Sequence, residues 1–316
     1  AQPYIPDMVQ YMKDGGYAHI DDGALVVDVK EPTDTKEIPP CMILKSNGAT
    51  LYNTTDLATI VERRKLFDPS KIIYVVDKRQ GLYFEQVFRC ARKTGIIGSD
   101  VDLIFVGFGT MNGKDGKPFK TRDGGVLRLE TLLADVTAQV AEKMADREMD
   151  DETRAQAAAR IGLAAIKYGD LSNQASKDYV FDVERFTSFE GNTGPYILYT
   201  IVRTKSLLAK VASQGITVAA DARVEAPVNK SQTDVMLALS KWPETVRAAY
   251  EEQAPHKICQ FVYELSDAYN KFYHENKILA AGDEKTRDSW IKLSELTGKV
   301  LETAMDLLGL EAPERM

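Results

Sequence analysis

Histidine and cysteine are scarce in this 316-residue chain, at three of each. His19, His256 and His274 lie far apart, and Cys41, Cys90 and Cys259 form no CxxC pair. A zinc site or other bound metal is therefore not expected; buried free thiols in a reducing cytosol are. No run of about 18 apolar residues exists, which excludes a membrane-spanning helix. Ala1-Gln2-Pro3-Tyr4 has no basic region leading into an apolar stretch, so no signal peptide is expected, and the absence of a starting Met hints at processing or excision. Neither GxxxxGK[ST] nor GxGxxG is present, which argues against a P-loop NTPase and a dinucleotide fold. Repeats and low-complexity stretches are also missing.

What is present is an ordinary soluble composition, 44% hydrophobic and 28% charged, in a length that suits about two domains. The net charge of -7 is unevenly spread. Residues 61–128 hold 14 Lys/Arg against 8 Asp/Glu, a net +6, and the remainder holds 26 against 39, a net -13. A basic stretch inside an acidic protein suits a phosphate-bearing ligand better than a nonspecific DNA coat.

The first half alternates two kinds of segment. Residues 24–29, 42–44, 71–76 and 102–106 read as strands, and 56–65 and 84–94 read as helices. That alternation predicts βαβ units and a parallel sheet. Residues 107–125 break all periodicity and read as a loop. From residue 130 the pattern is helical. Helices are predicted over 131–146 and 151–168. A further one runs to about residue 212, with Thr193 as N-cap and Pro195 in the first turn. The Gly/Pro-containing stretch 213–229 reads as a linker. Beyond it, residues 231–234 read as a cap, Pro243 starts a helix, and 256–276 and 284–308 are amphipathic, the last stopped by Gly309. A helical unit folding on its own is expected from Ser231 onward.

Two stretches carry chemistry. Residues 111–125 place Lys114, Lys117, Lys120 and Arg122 among four glycines just beyond a buried strand. Such a cationic flap at the carboxyl end of a parallel sheet suits a triphosphate and the charge that develops as pyrophosphate departs. A solvated surface hairpin is the bland alternative. In 51–56, Tyr52 and Asp56 are four apart and share a face if helical. A carboxylate beside a phenol is shaped to hold a guanidinium fork, although Asp56 read alone is a helix N-terminal residue.

Taken in order, these segments resemble arginyl-tRNA synthetases. Residues 48–58 (Gly-Ala-Thr-Leu-Tyr-Asn-Thr-Thr-Asp-Leu-Ala) are similar to the family's arginine-binding motif, and the stretch ending in Gln80 to its next strand and loop. Residues 117–122 (Lys-Pro-Phe-Lys-Thr-Arg) resemble a divergent KMSKS-type loop, with Lys120 where the usual motif has Ser. Residues 189–196 (Phe-Glu-Gly-Asn-Thr-Gly-Pro-Tyr) are similar to a family hallmark, and 307–316 to its chain end.

The resemblance implies the second half of a class I Rossmann-type nucleotide-binding domain with a parallel sheet, then an all-α anticodon-binding bundle. It divides the chain into a catalytic half with a remnant of its insertion (1–128), a helical connection with linker (129–230) and the anticodon-binding domain (231–316). It implies ATP-dependent ligation of L-arginine to tRNA(Arg) through arginyl-adenylate, in the cytoplasm. ATP is then a substrate arriving with Mg2+, there is no tightly bound cofactor, and neither DNA nor a membrane is a partner. Tyr52 and Asp56 hold the guanidinium and Gln80 the α-amino group; Lys117, Lys120 and Arg122 serve the ATP phosphates, with Lys120 in direct contact; Phe108 and Met111 line the adenine pocket.

On the helical part, Phe261, Val262, Leu265, Tyr269, Phe272 and Tyr273 form an aromatic face that reads as core packing for most members. Tyr273 and the terminal Met316 are the residues implied to face the anticodon. The family's HIGH motif has no counterpart, because no two histidines fall within four residues of each other. The chain is therefore expected to be a C-terminal piece that is catalytically incompetent alone. The alternative is a natural short paralogue that binds RNA or an amino acid for regulation; an upstream reading frame encoding HIGH separates the two. A generic helical scaffold gives no reason for Tyr52, Asp56, Gln80 and the cationic loop together.

Overall fold

The first helix is missing from the sequence reading although its spacing announces it. α1 (Ile5–Asp14) carries Pro6 in its first turn and buries Ile5, Met8, Val9 and Met12, spaced i, i+3, i+4, i+7. The computed structural model describes residues 1–117 and 128–316. These divide by packing into two units, Ala1–Gly109 and Thr110–Met316.

In the first unit, β1 (His19–Asp21) and β2 (Ala24–Val27) form a hairpin, and β3 (Cys41–Leu44) pairs antiparallel with β2. β2 ends two residues before the predicted limit. α2 (Tyr52–Phe67) begins four residues earlier than expected, because Thr54 reaches back: its hydroxyl accepts from Leu51 N–H (3.1 Å) and donates to the Ile43 carbonyl (2.5 Å). β4 (Lys71–Asp77) follows, then a 3-10 turn (Lys78–Gln80), α3 (Gly81–Lys93) and β5 (Asp102–Phe108). β4 and β5 are parallel, in register from Lys71↔Asp102 to Asp77↔Phe108, as the alternation of segments predicts. Ile43, Leu57, Ile60, Phe84 and Val87 meet in the core of this unit, together with Cys41 and Cys90. Gly107 allows the pair to close at its carboxyl end, since a Cβ there would lie 2.9 Å from Lys78 Cα.

In the second unit part of the expected loop is a strand. β6 (Met111–Asn112) pairs in parallel with β7 (Tyr179–Val180), a contact across 68 positions that no local pattern encodes. The helices are α4 (Leu129–Lys143), α5 (Asp151–Leu171), α6 (Val183–Phe186), α7 (Gly194–Ser213), α8 (Lys230–Ser240), α9 (Trp242–Glu251), α10 (Pro255–Glu275) and α11 (Glu284–Leu307). Thr193 caps α7 as predicted, accepting from Tyr196 N–H at 3.2 Å. The cap of α8 is Asn229 rather than a residue in 231–234; its amide oxygen accepts from Gln232 N–H at 2.9 Å, and Asn is as good a cap as Ser.

One core joins α5, α7, α8, α10 and α11, through Tyr168, Ile197, Ile201, Val235, Leu265, Phe272 and Leu301. The stretch between α7 and α8 has no helix or strand, yet it is tied to α11: Ala219 N–H donates to Asp288 (3.1 Å) and Glu225 N–H to Ser289 (2.9 Å). The helices beyond Ser231 therefore share their core with helices before it. All three cysteines are free and buried. Among the described residues no helix is long and apolar enough to cross a membrane, and no group of three His, Cys, Asp or Glu could hold a metal ion.

Candidate functional site

Asp56 sits in the second turn of α2, half-buried, and accepts a hydrogen bond on Oδ2 from the Tyr83 hydroxyl. Tyr83 lies in the first turn of α3, three residues after Gln80, so this bond brings Asp56 to the carboxyl end of β4. Burial, and then the hydrogen bond to Asp56, push the Tyr83 phenol well above its ordinary range. It therefore stays neutral and donates. Tyr74, on β4, is packed tilted against Phe84 and Phe88, and burial pushes its phenol up to about 12. The Arg63 guanidinium lies 5.2 Å from the Tyr74 ring. The carboxylate thus stands among neutral phenols with one oxygen held, an arrangement suited to a planar cation with paired donors.

The other two residues implied for arginine are placed differently. Tyr52 is the first residue of α2 and is 85% exposed. Gln80 is exposed at the end of the 3-10 turn that follows β4. That turn is set by Asp77, whose carboxylate accepts from Arg79 N–H (2.8 Å) and pairs with the Arg79 side chain (2.6 Å). Those Arg79 hydrogen bonds hold the Asp77 carboxyl at about 2. Phe108, the last residue of β5, is exposed opposite Asp77. Tyr83 escaped the sequence reading; its only signal was a polar aromatic three residues after Gln80.

In the second unit, Met111 is half-buried against Leu132 and Val136 of α4. The loop then turns: Gly113 N–H donates to the Lys117 carbonyl (2.7 Å), and Lys117 N–H to Asp115 (3.1 Å). Lys117 is exposed. Lys120 and Arg122 lie outside the described residues.

On α10, the face read as core is core: Phe261, Val262, Leu265, Tyr269 and Phe272 are buried. Tyr273 is half-buried, and the Arg203 guanidinium lies 5.0 Å from its ring and 4.8 Å from that of Tyr199. Arg203 also donates to Asn270 and to the Tyr199 hydroxyl (3.1 Å). Sequence reasoning missed Arg203 and Tyr199 because they lie on α7, about 70 positions from Tyr273. Met316 packs, partly buried, against the helical core.

Residues 1–183 match a family model described as "tRNA synthetases class I (R), catalytic domain". Residues 197–316 match one described as "DALR anticodon binding domain". The chain is similar to the "Arginine--tRNA ligase" of Agathobacter rectalis, at 57% identity over 325 residues, covering 100% of this chain and 54% of that protein. It is 52% identical to that of Alkaliphilus oremlandii, again over 100% of this chain and 54% of the relative. The chain thus spans about half the length of the curated relatives it matches. Among solved structures, Thermus thermophilus arginyl-tRNA synthetase superposes with a TM-score of 0.83 at 22% identity, covering 99% of this chain and 58% of that one. The Plasmodium falciparum arginyl-tRNA synthetase gives 0.79 at 22%, covering 99% and 52%. These two likenesses speak for the fold: a class I catalytic domain followed by a helical anticodon-binding domain.

Proposed function

The chain belongs to the class I arginyl-tRNA synthetases, and from that premise we propose that it supplies the arginine-selecting, phosphate-binding and anticodon-facing residues of an enzyme that joins L-arginine to tRNA(Arg) through arginyl-adenylate. The observation that carries this reading is the Asp56 carboxylate held by a neutral Tyr83 at the carboxyl end of β4. Asp56 and Tyr52 hold the guanidinium, and Gln80 takes the α-amino group. A site built around those donors rejects amino acids that lack them, since the carboxylate would be left unpaired. Lys117, with Lys120 and Arg122, neutralises the phosphates of ATP, which arrives with Mg2+, while Phe108 and Met111 flank the adenine.

On the helical part, the half-buried Tyr273–Arg203–Tyr199 cluster and Met316 form the RNA-facing patch, where the open sides of the ring and guanidinium planes stack unpaired bases. The functional division follows residues 1–128, 129–230 and 231–316, with α7 of the second stretch lending Tyr199 and Arg203 to the third, and the site of action is the cytoplasm. Without a histidine pair to stabilise the transition state, this chain alone does not form arginyl-adenylate. The test is arginine-dependent exchange of pyrophosphate into ATP. The purified chain should give none above background, while an enzyme that also carries the HIGH half of the site should give exchange with arginine alone among the amino acids. Exchange by the chain itself contradicts its incompetence, and exchange indifferent to arginine contradicts the substrate.

A further inference from the structure

Lys114, the first cation of the loop, is already engaged: its Nζ lies 3.1 Å from Asp182 Oδ2. The other oxygen of that carboxylate, Oδ1, accepts from the N–H groups of Glu184 (3.1 Å) and Arg185 (3.5 Å) at the start of α6. One side chain thus caps a helix and holds the loop. Three further hydrogen bonds run beside it, two of them between backbone groups. Thr110 N–H donates to Asp178 Oδ1 (2.7 Å), Tyr179 N–H to the Thr110 carbonyl (3.1 Å) and Phe181 N–H to the Asn112 carbonyl (2.8 Å). Phe181 and Phe186, on either side of Asp182, are buried with Leu132 and Val136 of α4 and Ala165 and Ile166 of α5. The base of the cationic loop is therefore fastened to a small core built by helices.

We propose that Asp182 is a positioning residue for that loop: through Lys114 it fixes the turn 113–117, and with it the point from which Lys117 reaches a nucleotide's phosphates. This rests on the reading of Lys117 given under Proposed function. An ion pair whose side chains are 67% and 28% exposed contributes little to global stability. Its effect is placement. Misplacing a group that meets developing charge lowers the rate, here by up to the worth of the pair itself. Lys114 itself is a tether, not a phosphate ligand.

Asp182→Asn is the informative variant, because Asn caps a helix as well as Asp does but carries no charge. Amide hydrogen exchange is measured on this chain. Residues 112–117 should exchange about threefold faster in the variant, the loss expected for one exposed ion pair, with residues 184–186 unchanged. Raising salt from about 0.05 M to about 1 M should speed exchange there in the wild type and not in the variant. Lys114→Arg should keep wild-type protection. Equal exchange in wild type and variant, or an equal response to salt, overturns the tether.

In the full-length enzyme, Asp182→Asn, Lys114→Met and the double variant should each lower kcat for pyrophosphate exchange about threefold, in line with what one such pair can contribute, with KM for arginine unchanged and no further loss in the double. Multiplying losses, or wild-type kcat, overturn the positioning role. If the wild-type full-length enzyme shows no arginine-dependent exchange, the functional reading falls, and hydrogen exchange still decides the tether.

Discussion

Tyr83 and Asp56 are 27 positions apart and on different helices, yet the phenol of one donates its hydrogen to the carboxylate of the other. This bond fixes which way the carboxylate faces before any substrate arrives. Tyr83→Phe should weaken arginine use in the full-length enzyme by about 1.5–3 kcal/mol, the worth of a hydrogen bond to a charged group. Asp56→Asn should cost about 2–5 kcal/mol, as when one partner of a buried charge pair is removed. Both losses belong in KM or kcat/KM for arginine, with KM for ATP unchanged. A loss confined to ATP or tRNA kinetics would place Asp56 elsewhere in the site.

Gly194 begins α7 where it meets α5: a Cβ there would lie 2.4 Å from the Ala164 carbonyl oxygen and 2.6 Å from its carbon. Both are backbone atoms and cannot swing aside. Gly194→Ala should destabilise the second unit by about 1–3 kcal/mol, the range for overpacking a filled core. Urea unfolding followed by circular dichroism checks this; an unchanged midpoint would mean that the two helices separate freely.

Arg89 on α3 holds Asp34 through two hydrogen bonds, at 2.6 and 2.8 Å. Those bonds keep the Asp34 carboxyl at about 2, below the ordinary carboxylate range near 3.9. A depressed pKa in the folded state contributes stability above the ordinary value, and that contribution is lost as pH falls through about 2. The wild type should therefore exceed Asp34→Asn in urea midpoint at pH 5–7, and the gap should close as pH falls from about 4 to about 2. A gap independent of pH would show that shape, not charge, is what Asp34 provides.

A chain cut to begin at Ser231 would strip α5 and α7 from the core they share with α8, α10 and α11. It should be helix-rich by circular dichroism but melt without a cooperative transition. A cut before Asp150, the N-cap of α5, should melt cooperatively. Sharp melting of the shorter chain would show that the anticodon-side helices need no support from α7.

The parallel pair β4/β5 was legible because a β-branched apolar run, bounded by polar residues, has few other ways to be buried. Thr193 and Pro195 announced α7 for an equally local reason: the cap and the first-turn proline act within four residues. β6, β7 and the Lys114–Asp182 pair were not legible, because each joins residues about 70 positions apart with no periodicity on either side. Tyr83 was missed in the same way; its partner lies on another helix, and only folding makes the phenol part of a site.

The most direct measurement of the arginine-selecting role is pyrophosphate exchange in a chimera. This chain is joined to the part of the Agathobacter rectalis relative that it does not cover, and the chimera is assayed with each amino acid in turn after cooperative melting has been verified. Arginine alone should support exchange, and Asp56→Asn should reduce kcat/KM for arginine by about 30-fold or more, which is about 2 kcal/mol or above. A folded chimera that is inactive with arginine, or one whose Asp56→Asn variant uses arginine as well as the parent does, would contradict it.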